Sequence, residues 1–102
     1  MVQGAKQGDG QLESDKLDVN IYPNPMNESA TIEFINMGST ASGSILLFNV
    51  TGEKVMDVYK GEMAQGEIQT VTLDGTMLAP GVYICRVSVG DQILTRRIVI
   101  NR

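Results

Sequence analysis

From Leu17 onward, hydrophobic and polar positions alternate with a period of two along most of the chain. Leu17, Val19 and Ile21 alternate with Asp18, Asn20 and Tyr22, which predicts a first strand over 17–22. Over 30–37, Ile32, Phe34 and Asn36 oppose Thr31, Glu33 and Ile35. The run Ser44 to Val50 is more continuously apolar, fitting a central strand covered on both sides. Further alternation predicts strands over 54–60, 67–73, 82–89 and 92–100. No segment of useful length carries the period of an amphipathic helix.

Turn chemistry separates these runs. Pro23-Asn24-Pro25 removes two backbone donors and forces extended geometry before each ring. Such a segment must cross between sheets or lie along an edge, and Asn24 is expected to order its own turn through its side chain. Gly38–Gly43 and Gly61–Gly66 read as loops, Thr51-Gly52-Glu53 and Asp74-Gly75 as turns. Pro80-Gly81 suits positions i+1 and i+2 of a type II turn, with Gly52 and Gly81 supplying positive φ. Gly90-Asp91 suits a two-residue hairpin. With that loop, Tyr83 faces Ile98, Val87 faces Leu94, and Arg96 falls opposite Cys85 on the apolar face. Arg96 must then stand at a sheet edge, or a bulge must shift the register.

Seven short strands with turn signals every 8 to 12 residues predict an all-β fold, a seven-stranded antiparallel immunoglobulin-like β-sandwich. The polar, Gly/Gln-rich residues 1–16 read as a flexible linker, and residues 17–102 as one domain. Few aromatics and no Trp imply an aliphatic core, in which Tyr83 is expected to act as a tyrosine-corner anchor.

Candidate chemistry is sparse. Cys85 is alone, so no internal disulfide forms, and its place on an alternating strand makes it a small buried hydrophobe. The chain has no His, the commonest general base and metal ligand, and no calcium-loop pattern. No cofactor or catalytic activity is expected. No run approaches the roughly 20 apolar residues of a membrane-spanning helix, and no signal peptide is visible. Residues 1–90 carry a net charge of −6, whereas residues 91–102 carry +2 through Arg96, Arg97 and Arg102. The acidic body argues against nucleic acid as a partner. The terminal arginines read either as charge that protects an edge strand from aggregation or as a docking feature. The sequons at Asn27 and Asn49 are taken as chance.

Three stretches carry a resemblance. Val19-Asn20-Ile21-Tyr22-Pro23-Asn24-Pro25 opens the folded part. Leu47-Phe48-Asn49-Val50-Thr51-Gly52-Glu53-Lys54-Val55 stands in the middle. Leu78-Ala79-Pro80-Gly81-Val82-Tyr83-Ile84-Cys85-Arg86-Val87 leads to Gly90 and Arg96-Arg97-Ile98-Val99-Ile100. Together, in this order, they resemble the C-terminal sorting domain of type A cargo proteins of the type IX secretion system of Bacteroidetes. That family has a YPNP-like opening, a Gly-Lys/Glu-x-Val centre, an Leu-x-x-Gly-x-Tyr near the end, and a basic last strand. Here the last strand has Arg where the family often has Lys.

The resemblance implies an address rather than a reaction. Such a domain directs its N-terminal cargo protein from the periplasm through an outer-membrane translocon. A sortase-like peptidase then typically cuts in the linker and attaches the cargo to the cell surface. Gly4-Ala5, Gly8-Asp9 and Gly10-Gln11 are the candidate bonds. Residues 78–102 would carry recognition, with Arg96, Arg97 and Arg102 touching the partner along an exposed terminal strand. Whether the domain dimerises, or is removed or retained, stays open. The alternative is a fibronectin type III or immunoglobulin-like adhesive or spacer module, which Leu78–Tyr83 also resembles. That family's Trp is missing, and a spacer is expected to run on into another domain.

Overall fold

Alternation of this kind buries one face of every strand, and two such faces packed together make a core. The computed structural model describes residues 16–102, in seven strands: β1 Leu17–Tyr22, β2 Ser29–Asn36, β3 Ala41–Asn49, β4 Lys54–Met63, β5 Ile68–Asp74, β6 Gly81–Val89 and β7 Gln92–Ile100. The linker and its candidate bonds lie, Lys16 apart, outside the described residues. The strands form two antiparallel sheets, β1-β2-β5 and β4-β3-β6-β7. This is the expected seven-stranded β-sandwich, with its fourth strand paired to the third.

Between the sheets lies an aliphatic core. Leu17, Val19, Ile32, Phe34 and Leu73 come from one sheet, and Ile45, Leu47, Cys85, Val87, Leu94 and Ile98 from the other. Phe34 of β2 meets Tyr59 of β4 across the two layers, ring centroids 5.9 Å apart and tilted by 54°. The alternating face Tyr83, Cys85, Val87 and Val89 points inward as the pattern required.

The departures from expectation have physical causes. Residues 41–43 and 61–63, read as loop because of their glycines and small side chains, continue the β3–β4 hairpin with Gly43 opposite Gly61. Gly43 is a close-packing site: a Cβ there would lie 2.5 Å from the Ser88 carbonyl oxygen and 2.6 Å from Met63 Sδ. Two irregularities in the β3–β4 pairing leave Val55 and Val58 as extra residues, both packed against the core. Strand β3 is central in its sheet but not covered on both sides. Its outward Leu46 and Phe48 are only half-buried, and Phe48 is covered by the Arg86 side chain rather than by another layer.

No type II turn forms at Pro80-Gly81. The turn sits earlier, where Leu78 N donates to Gly75 O at 3.0 Å. Gly81 is already paired with Ile100, at φ +153° rather than the roughly +80° of a type II turn. Gly52 supplies its positive φ, +91°, as expected. The two-residue hairpin forms at Gly90-Asp91, since Val89 pairs with Gln92. Pairing of β6 with β7 runs without a shift, so Cys85 faces Arg96, and β7 is an edge strand. Of the two resolutions for Arg96, the edge is the one adopted.

Tyr83 forms the tyrosine corner. Its hydroxyl donates to Ala79 O at 2.6 Å while its ring is buried. Tyr83→Phe keeps the ring and strands that carbonyl, so urea unfolding should show a loss of about 1 kcal/mol.

Candidate recognition surface

Antiparallel order sends every second connection to the same end of a sandwich. Here one end gathers the β1–β2 connection, the β3–β4 turn, the β5–β6 connection and residues 100–102. The three stretches singled out in the sequence therefore converge on one pole. Asn49 pairs with Tyr83, Tyr83 with Ile98, and Gly81 with Ile100, so the middle and final stretches are neighbours.

The opening stretch joins them through its polar groups. Asn24 does not order its own turn. Its amide reaches the far edge of β7, where Nδ2 donates to Arg97 O at 2.8 Å and Oδ1 accepts from Val99 N at 3.0 Å. The flanking prolines hold this segment extended, and both Tyr22–Pro23 and Asn24–Pro25 are cis. Met26 continues the strap: its N donates to Val99 O at 2.8 Å, and its carbonyl accepts from Asn101 N at 2.8 Å. Residues 23–26 thus lie along the edge and cover the 97–101 half of the terminal strand.

Arg102 closes the other side, with Nη1 donating to Gly75 O at 2.8 Å and Nη2 donating to Leu78 O. Gly75 N in turn donates to Glu28 O at 2.8 Å. The three arginines therefore differ. Arg97 is exposed on the outer face. Arg96 is half-buried beside Cys85, with Nη1 on Thr95 O at 3.0 Å. Arg102 binds the carbonyls of the 75–78 turn.

Two polar devices escaped the reading of the sequence. Asn49 organises the β3–β4 turn: its Oδ1 accepts from Thr51 N, Thr51 Oγ1 and Glu53 N at 2.8–3.1 Å. Asp74 repeats the pattern, taking Thr76 N at 3.0 Å and Thr76 Oγ1 at 2.8 Å, and these donors hold its carboxyl below the usual range. The shared signal is Asx-x-Thr at a strand end, legible as a turn motif.

Cys85 is fully buried, and burial pushes its thiol from 9.0 up to about 12, against the smaller downward pull of Arg96. The folded protein keeps this proton more tightly than the unfolded chain, so the contribution is complete below pH 9 and lost on the way to about 12. Stability of the wild type should fall more steeply with pH above 9 than that of Cys85→Ala, by at most about 1.4 kcal/mol per unit. Iodoacetamide at pH 8 should label Cys85 only after unfolding by urea. Among the described residues no group of three or more Cys, Asp or Glu could hold a metal ion, and no helix is long and apolar enough to cross a membrane.

The fold is a two-sheet β-sandwich in which three stretches far apart in sequence meet at one pole. The family described as Secretion system C-terminal sorting domain matches residues 20–101, and the chain belongs to it. No curated protein matches the chain. The domain is a type IX secretion sorting signal, of a family that is not an enzyme family. It marks a cargo of the secretion machinery for export across the outer membrane, to the cell surface or beyond.

Proposed function

We propose that the pole formed by residues 23–26, 49–53, 75–83 and 97–102 is the surface that the outer-membrane type IX translocon reads. The domain, residues 17–102, reaches it folded from the periplasm. A sortase-like peptidase then cuts within the linker, residues 1–16, and joins the cargo to the cell surface. The observation that carries this reading is the convergence of the three motifs, far apart in sequence, through Asn24, Tyr83 and Arg102. Of the three arginines, Arg97 makes direct contact with the partner. Arg96 and Arg102 add charge while holding the edge and the 75–78 turn. Recognition proceeds on the folded surface rather than by strand addition along 97–101, because residues 24–26 already occupy that edge.

The test fuses residues 1–102 to a fluorescent protein with an ordinary export signal, in a bacterium that has this secretion system. Surface delivery is compared with Asn24→Ala, which removes both bonds to the β7 edge, and with a chain ending at Gly90. The full fusion should reach the surface, Asn24→Ala should lower delivery roughly tenfold, and the shortened chain should stay in the periplasm. Periplasmic retention of a folded full fusion overturns the reading and favours the adhesive module.

A further inference from the structure

The outer face of the four-stranded sheet carries no second layer among the described residues, yet it is not polar. Register places Leu46, Phe48, Ile84 and Val99 on it, half-buried, with Val82 exposed at its margin. Cations stand among them. Lys54, Lys60, Arg86 and Arg97 are on this face, four of the seven basic residues among those described, against only Asp57 and Glu62 of the nine described Asp and Glu. On the outer face of the other sheet, register places Asp18, Glu33 and Asp74 and no basic residue. A chain of net charge −4 has thus gathered positive charge on one flat side.

Lys54 is paired with Asp57 at 3.0 Å, whereas Lys60, Arg86 and Arg97 make no ion pair among the described residues. Arg86 lies over Phe48, its guanidinium carbon 4.6 Å from the ring centroid, and its Nε is buried without a hydrogen-bond partner among the described residues. A guanidinium held over an aromatic ring, between aliphatic neighbours, matches the anchors at the centres of protein–protein interfaces.

We infer that this face docks a protein of the secretion machinery whose matching surface is apolar and carries carboxylates. The inference rests on the sorting reading and adds a second contact area, distinct from the pole but sharing Arg97 with it. A protein fits better than a membrane. The cations stand singly between apolar side chains, not in the cluster of roughly four to eight that holds a basic segment on anionic lipid. Carboxylates opposite Lys60 and Arg86 would raise the rate of encounter and fix the register of docking.

The experiment uses the 1–102 fusion and leaves Arg96, Arg97 and Arg102 in place. Lys60→Glu, Arg86→Gln and the double variant are compared with Asp18→Lys/Glu33→Lys on the opposite face. Thermal unfolding of each establishes that it is folded. Lys60→Glu concerns an exposed side chain and tests the face even where Arg86→Gln destabilises the sheet. Surface delivery should fall about tenfold in the double variant, stay at the wild-type level in the opposite-face control, and recover in Lys60→Arg. An excess of the free domain should compete with delivery of the fusion, and the double variant should compete less.

Undiminished delivery by the double variant, with the wild type delivered, overturns the docking face and leaves the sorting reading standing. Failure of the wild type itself overturns the sorting reading. Equal loss in the opposite-face control overturns the assignment to this face. Binding of the chain to phosphatidylglycerol vesicles that Lys60→Glu abolishes makes a membrane the occupant. Concentration-dependent dimerisation in ultracentrifugation that Lys60→Glu weakens makes it a second copy, and either result overturns the protein partner proposed.

Discussion

Phe34→Ala should lower the stability of the domain by about 4 kcal/mol, the largest effect expected of any single substitution considered. The ring is almost wholly buried at the centre of β2, and it is the aromatic group of the three-stranded sheet that meets Tyr59 of the other. Truncation removes the transfer free energy of the ring and leaves a cavity between two layers that cannot close on it, since strands held in ladders move little. A domain of this size has about 5–15 kcal/mol in all, so the variant should melt roughly 20 °C lower and unfold in markedly less urea. Far-UV circular dichroism measures both. A loss below about 1.5 kcal/mol would mean that Tyr59 collapses into the space and that the layers are not rigid.

Asn36→Leu should cost about 3 kcal/mol, although it places an apolar side chain of similar size in a buried position. Asn36 is the buried polar residue at the end of β2. Its Nδ2 donates to Ser39 O and to Met63 O, both at 2.9 Å, and its Oδ1 accepts from Gly38 N at 2.9 Å. Its backbone carbonyl accepts from Gly66 N at 2.7 Å. The amide thus satisfies both the β2–β3 connection and the end of β4. Leucine leaves two carbonyls and one N–H without partners, at about 1 kcal/mol each. Asn36→Asp is informative beside it, because a carboxylate would face the same two carbonyls. Its pKa in the folded state should rise, so stability should be retained at low pH and lost as pH climbs through that pKa. A flat pH profile for Asn36→Asp would show that the loop opens rather than holding the charge.

What the sequence made legible follows from what repeats locally. Side chains of a strand half-buried in a sandwich must alternate, so the strands and the inward face of β6 could be read from residue types alone. Glycine misled at three positions: Gly43 and Gly61 lie inside paired strands, where the small size of Gly43 serves close packing, and Gly81 already belongs to β6 rather than to a type II turn. The surface was harder. Its motifs could be found, but the bonds that join them could not. Asn24 reaches β7 across 73 and 75 residues, and Arg102 reaches Gly75 across 27. Side chain to backbone bonds of that separation leave no local pattern. The same holds for Asn36, whose partner Met63 is 27 residues away. Asn49 and Asp74, in contrast, act within four residues, and an Asx-x-Thr search finds them.

The strap of residues 23–26 across β7 also governs when the surface exists. Closing a contact between residue 24 and residues 97–99 brings together segments that the chain separates by almost the whole domain, so the pole forms late in folding. Domains dominated by such pairings fold in about milliseconds to seconds. A nascent chain synthesised only as far as β6 has neither the edge that Asn24 covers nor the guanidinium that binds the 75–78 turn. If the translocon reads this pole, as proposed, the signal is absent from an unfolded chain and forms only once residues 97–102 have been made and set in place.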